Sequence, residues 1–229
     1  MALPKVIHPT KKIKVPSLDL ELEFEPFTTA DEKAIVLLED NATLYDKCIL
    51  QQNILQKCCK SDFDFSKLST IEITYLFLQL RKISVGGTLD LVGKCPNCGS
   101  DVAISVDISL IEFDPTNLKP LKFTIDTSDG PYIVVCTQFT CEDMKYIDPE
   151  SPSVDNIATV IRSMMKPDGN DVIELTQEEK VELFNQLNTK DAEKIAEYIN
   201  SSPVLEKSLD LSCGECEHQF KGELKDFFI

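Results

Sequence analysis

Two cysteine pairs of identical spacing, Cys95-Pro96-Asn97-Cys98 and Cys213-Gly214-Glu215-Cys216, lie more than a hundred residues apart in a chain of 229. At this C-x-x-C spacing a tight turn brings two thiolates within about 2.3 Å of one metal ion. Pro96 and Gly99 suit such a turn, since proline presets one backbone angle and glycine accepts a left-handed one. Neither pair closes a tetrahedral shell alone. Together Cys95, Cys98, Cys213 and Cys216 supply the four sulfurs of one structural zinc ion, and a chain that uses all four must bring its distant parts together.

The flanking residues repeat as well. Thr88-Leu89-Asp90-Leu91 precedes the first pair and Ser208-Leu209-Asp210-Leu211 the second, so two near-copies of one hairpin are expected. After the first pair, Val102, Ile104, Val106 and Ile108 alternate with polar or small residues, the period of a half-buried strand. Phe220, Gly222 and Leu224 give a weaker version after the second.

Closing a loop of this length costs about 4 kcal/mol plus a constant, because the entropy grows only with the logarithm of length. A structural zinc site returns about 10 to 16 kcal/mol of apparent binding free energy at neutral pH, so the ion wins that comparison. Three other readings compete. A disulfide framework fits poorly with nine cysteines, an odd number, and with the adjacent Cys58 and Cys59. A thioredoxin-like redox motif places its C-x-x-C at the start of a helix, whereas a strand follows here. The third is chance.

The balance of 23 basic against 39 acidic residues gives a net charge of −16, which repels phosphate backbones and acidic membrane surfaces. No apolar run reaches the roughly 20 residues that span a bilayer, and Met1 to Lys14 lacks the apolar segment of a signal peptide. A soluble cytoplasmic protein is expected. The one basic stretch is the arm bearing Lys5, Lys11, Lys12 and Lys14, read as solvated surface before a binding element.

Along the chain, Leu18, Leu20, Leu22 and Phe24 alternate with acidic residues and predict an N-terminal hairpin. Thr29-x-x-Glu32 predicts a capped helix through Ala34, Leu37 and Leu38. A second helix carries Leu44, Cys48, Gln52, Leu55 and Cys59 on one stripe, which makes Cys48 and Cys59 small core residues. Residues 70–82 fit either a strand or a buried helix, and helix is preferred by length; Gly86-Gly87 then breaks it. Residues 119–137 read as a hairpin turning near Asp129-Gly130, followed by Cys136 and Cys141 as core or boundary cysteines. Val154, Ile157, Ala158, Ile161, Met164 and Met165 fall at helical steps and predict one amphipathic helix ended by Pro167. Thr176-x-x-Glu179 caps the next helix, with Val181, Phe184 and Leu187 inward, and Ala192, Ile195, Ala196 and Ile199 mark the last, ended by Pro203. Phe227-Phe228 is read as packing back onto the second cysteine hairpin.

Catalytic equipment is sparse. The two histidines are His8, in the basic arm, and His218, beside the second pair; there is no phosphate-cradling glycine loop and no H-E-x-x-H helix. His218 in place of one cysteine ligand is left open, with a surface role preferred. Four thiolates leave no coordination position for an activated water, and pairs such as Glu178-Glu179 read as a solvated face. No enzyme is expected.

Several segments resemble the baseplate hub protein family of T-even-type contractile-tailed phages. They are Met1-Ala2-Leu3-Pro4-Lys5 with Pro9-Thr10, Pro26-Phe27 leading to Glu32-Lys33, and Tyr75-Leu76-Phe77-Leu78-Gln79-Leu80-Arg81 with Ser84-Val85-Gly86. Glu178-Glu179-Lys180, Pro203, the second C-x-x-C and Gly222-Glu223-Leu224-Lys225-Asp226-Phe227-Phe228 resemble its closing pattern. The glycine after Cys213 departs from the proline expected there. The resemblance implies a hub subunit or hub assembly protein, working by protein–protein contact with other baseplate hub or tail proteins, in the host cytoplasm during assembly or in the virion tail baseplate. No membrane partner or nucleic acid is expected, and a homo-oligomer is allowed. A zinc-ribbon nucleic-acid-binding accessory protein is the alternative, disfavoured by the acidic residues around both pairs.

The expected fold is α+β, a helical body with an N-terminal β-hairpin and a zinc-ribbon-like module made by the two C-x-x-C hairpins. Its parts are the arm and hairpin at 1–27, a helical region at 28–85, the first zinc hairpin at 86–113, a β-hairpin and connector at 114–150, a helical region at 151–202 and the second zinc hairpin at 203–229. Together they are expected to make one compact domain.

Overall fold

In the computed structural model, which describes residues 6–38, 42–111, 113–148, 153–203, 205 and 208–223, the alternation near the N-terminus becomes a hairpin. Strand β1 (Lys11–Val15) pairs antiparallel with β2 (Leu20–Phe24), with Lys12 opposite Glu23 and Lys14 opposite Glu21. Ile13, Val15, Leu22 and Phe24 bury one face while the charged face meets solvent. Helix α1 (Thr29–Val36) starts one residue earlier than Thr29-x-x-Glu32 predicts. Thr28 is the cap, and its N–H donates to Asp31 Oδ2 at 2.9 Å; the shorter aspartate reaches back from the third position as glutamate would. Leu37 lies past the helix and is exposed, contrary to the expected stripe.

Helix α2 (Leu44–Cys58) and helix α3 (Thr70–Ser84) pack with the hairpin around Phe24, Leu55, Phe65, Ile73, Leu76 and Leu80, all fully buried. The strand-or-helix ambiguity of residues 70–82 is resolved by the residue before them. The N–H of Ser69 donates to Glu72 Oε2 at 3.1 Å, and the hydroxyl of Ser69 donates to the same oxygen at 2.8 Å. Such a box is worth about 1 kcal/mol at a helix start and nothing in a strand. The helix ends at Gly86, whose φ of +145° lies outside the range open to most side chains.

Strands β3 (Thr88–Lys94) and β4 (Asp101–Asp107) form the hairpin that carries the first cysteine pair. Strands β5 (Leu121–Thr127) and β6 (Gly130–Cys136) follow as expected, turning at Ser128-Asp129 with Gly130 at φ +106°. A 3-10 turn, Cys141–Tyr146, then packs on α2. Cys136 and Cys141 are fully buried core residues, as their sequence context implies.

The single helix expected over 154–165 is a correction. Helix α4 (Val154–Ala158) is short, and Ile161, Met164 and Met165 belong to strand β7 (Ile161–Met165), which pairs with β6; β8 (Ile173–Glu174) extends the sheet to four strands in the order β5-β6-β7-β8. Thr159 turns its hydroxyl back to the carbonyl of Asp155 at 2.7 Å, and Val160 and Ile161 are β-branched. The apolar steps suited both periods, and pairing with an open edge of β6 decided between them. Helices α5 (Gln177–Gln186) and α6 (Thr189–Asn200) cover this sheet, with Phe123, Val134, Cys136, Ile161, Ile195 and Tyr198 in the shared core. The expected box at Thr176 and Glu179 is present.

Strands β9 (Ser208–Ser212) and β10 (Gln219–Glu223) make the second cysteine hairpin. It packs against the first in a core of its own, where Leu205, Leu209 and Cys213 meet Val102, Ile104, Val106 and Ile108, with Leu78 of α3 joining from the helical side. Mixed helix and sheet are therefore both present, as the α+β expectation has it. Leu224 and the Phe227-Phe228 pair lie outside the described residues. Among the described residues no helix is long and apolar enough to cross a membrane.

Candidate metal centre

The two C-x-x-C turns have the same construction. In the first, Gly99 N–H donates to the Cys95 carbonyl and Cys95 N–H to the Ser100 carbonyl, both at 2.9 Å. In the second, Glu217 N–H donates to the Cys213 carbonyl and Cys213 N–H to the His218 carbonyl, both at 3.0 Å. The residue after each pair is left-handed, Gly99 at φ +74° and Glu217 at φ +56°. Glycine takes that conformation freely, and glutamate does so at a cost. Each turn aims its two sulfurs off the tip of its hairpin, and the packing of β4 on β9 sets the tips face to face.

The four ligand atoms converge. The Sγ atoms of Cys95, Cys98, Cys213 and Cys216 all lie within 4.8 Å of one another, with Cys95 to Cys216 at 3.7 Å and Cys98 to Cys213 at 3.6 Å. A regular tetrahedron with a centre-to-sulfur distance of about 2.3 Å has edges of about 3.8 Å. A disulfide would need about 2.05 Å, and all nine cysteines are free. Spacing and donor chemistry thus fit a tetrahedral thiophilic cation, and these four residues can hold one metal ion.

Polar neighbours support the sulfurs. Asn97 Nδ2 approaches Cys216 Sγ at 3.6 Å and Ser100 Oγ lies 2.9 Å from Cys98 Sγ. The Ser100 side chain and backbone, followed by the nearby sulfurs of Cys216 and Cys213, pull the Cys98 thiol down to about 6, whereas burial pushes Cys95 up to about 11. Cys98 is exposed and Cys95 and Cys213 are buried, so the centre is open on one side. His218 is not among the converging atoms; its ring stacks on Phe220 with centroids 6.0 Å apart. Asp101, Glu215 and Glu217, at or beside the two turns, are exposed, as are Asp90, Asp107 and Asp210 farther along the hairpins.

A second polar cluster escaped the sequence reading. Between β6 and β7 the register shifts, Val135 facing Ser163 and Cys136 facing Ile161, which leaves Arg162 as the extra residue of a bulge. Bulges re-aim side chains, and this one sends Arg162 to Asp143 of the 3-10 turn. Nη1 meets Asp143 Oδ1 at 2.8 Å and Nη2 meets Oδ2, while Nε donates to Thr137 Oγ1 at 2.6 Å and Nη2 also to the Gln138 carbonyl at 3.0 Å. The side chains are 24% and 7% exposed. Burial works to raise the Asp143 carboxyl, but the guanidinium and the Thr140 donors outweigh it and hold it below its ordinary value. One signal was available. Arg162 is one of two arginines among 23 basic residues and stands inside an apolar run, where a fully bonded guanidinium suits better than an ammonium.

No curated protein and no solved structure was found to match the chain. A family model, T4 bacteriophage base plate protein, matches residues 8–229. That span takes in the hairpin, the sheet and both cysteine turns, and the chain therefore belongs to the family of T4-type phage base plate proteins.

Proposed function

We propose that the protein is a non-enzymatic component of the baseplate's central hub, as a subunit or an assembly factor, and that Cys95, Cys98, Cys213 and Cys216 hold one structural zinc ion. The observation that carries the metal reading is the convergence of four thiols on one tetrahedron-sized space. In that reading the two cysteine hairpins form a zinc-ribbon-like module, one part of a single compact domain in which the hairpin of the 114–150 segment shares its sheet with β7 and β8 of the 151–202 segment. Zinc favours four sulfur ligands and needs no further ligand when all four are thiolates, so the centre stiffens the fold and leaves no open position for chemistry. A rigid body presents its edges to other hub and tail proteins at low ordering cost. Assembly would then take place in the host cytoplasm, and membership of the base plate family supports a role in the tail baseplate.

Native mass spectrometry of the purified chain tests the metal directly. One zinc per chain is expected, and Cys98→Ser or Cys216→Ser should lose it. Another metal at full occupancy, or none, would overturn the assignment. For the hub role, co-expression with other tail proteins should yield a stable complex, and a protein recovered free from every such mixture would count against it. The nucleic-acid alternative gains nothing from the exposed carboxylates of the two cysteine hairpins.

A further inference from the structure

Helix α2 and the 3-10 turn bring together two free thiols far from the metal centre in sequence. Cys141 is fully buried in the core beneath α2, and Cys48, half-buried, packs on the same core from α2 itself. The Cys141 thiol donates to the Cys48 carbonyl at 3.5 Å, and the two side chains interact directly. Rigid elements hold both. Cys48 lies in the second turn of a fifteen-residue helix. Cys141 opens a turn anchored from two sides: the Thr140 N–H donates to Asp143 Oδ2 at 2.7 Å, and the Phe139 carbonyl accepts from the Thr70 N–H of α3 at 2.8 Å. The fold has therefore already met the entropy of bringing together residues 93 apart in the chain.

The two thiols differ as an exchange reaction requires. Cys48 is partly open to solvent, whereas Cys141 is enclosed and flanked by Glu142 and Asp143, so Cys48 ionises first. The Cys141 side chain holds the Cys48 thiol below its ordinary value; the contact with Cys48, burial and the two carboxylates push Cys141 up. Burial pushes Cys58 up to about 11 and Cys136 up to about 12 and also raises Cys59, so outside the metal centre Cys48 alone is lowered. We propose that Cys48 and Cys141 are a redox site, converted by a small-molecule disulfide into a bond that ties α2 to the 3-10 turn. The Cys48 thiolate attacks one sulfur of the oxidant, breaking its S–S bond and releasing one thiolate. Cys141 then gives up its proton and attacks Cys48 Sγ, expelling the second. The two protein thiols lose two electrons and two protons, and the oxidant departs as two thiols. The new bond crosses the seam between the core of α2 and α3 and the turn whose Asp143 clasps Arg162, a seam that Tyr45 also spans by donating to Glu142 Oε1 at 3.4 Å.

Oxidised glutathione added to the full-length protein, followed by peptide mapping without reduction, tests this. A cross-linked pair of peptides carrying Cys48 and Cys141 is expected, with a melting temperature raised by about 10 °C. Cys141→Ala should stop at the mixed disulfide, with glutathione retained on Cys48, and Cys48→Ala should leave Cys141 unmodified. Peptides bearing Cys95, Cys98, Cys213 and Cys216 report any oxidation of the metal centre separately. The cross-link in the parent decides the matter even where Cys141→Ala, a change in the core, fails to fold. Cys48 recovered as a free thiol, glutathione left on Cys48 of the parent with no second step, or Cys141 bonded to another cysteine would each overturn the proposal. A melting temperature unmoved by the bond would overturn its role as a tie.

Discussion

The cysteine hairpins and the four-stranded sheet solve the same problem by different means. Each cysteine hairpin has two strands, and a two-stranded ribbon is marginal in water; even joined, the pair leaves Val92 69% exposed and places polar or small residues on every second position of β4. The sheet has four strands, two covering helices and an ion pair sunk between it and the 3-10 turn. One region waits on four sulfurs at its tips and the other is braced from within. The first should therefore respond to chelation and thiol chemistry, and the second to pH and packing.

The largest effect should come from the proposed zinc ion. Removing it with a chelator, or making Cys98→Ser, is expected to forfeit most of the roughly 10 kcal/mol or more that a structural zinc site contributes. Hydrogen exchange should then rise across β3, β4, β9 and β10 and stay slow in β6 and β7. Uniform protection before and after chelation would erase the contrast between the regions. Next is Arg162→Ala, which strands a buried carboxylate and should destabilise by about 3 to 5 kcal/mol, with the loss seen in the sheet and the metal retained in native mass spectra. Smaller again is the acid response of Asp143. Its folded-state pKa is depressed, so its contribution is complete above the ordinary value of 3.8 and is lost as pH falls through the lower folded value. The stability of Asp143→Asn should accordingly lose part of the parent's dependence on pH in that range, as measured by denaturant melts. Smallest is Glu217→Gly, which removes a side chain from a left-handed position and should stabilise the second turn by about 1 kcal/mol, raising its melting temperature toward that of a turn built on glycine.

The cysteine centre was legible because its information is local. Four residues of a kind, spaced by two, mark one donor set wherever the chain carries them, and their sulfurs converge within 4.8 Å of one another. Helix limits were legible where a cap was read, as at Thr176, and the box of Ser69 and Glu72, which would have chosen helix for residues 70–82, went unread. They were not where pattern alone spoke. Ile161, Met164 and Met165 satisfy helical and extended periods alike, and only the pairing of β6 with β7 chose. The Arg162–Asp143 pair depends on that choice, since a helical Arg162 would not sit in a bulge. Thr28 and Asp31 were missed by a single position because aspartate closes a cap as glutamate does.

The order of the ligands along the chain sets a sequence of events during synthesis. Cys95 and Cys98 leave the ribosome before any strand of the four-stranded sheet has been made, and Cys213 and Cys216 only after its last helix. A nascent chain halted anywhere between them presents half a coordination shell. Completion of the metal centre would thus report that the intervening body has been translated in full, and a truncated copy would announce itself by two unclaimed thiols.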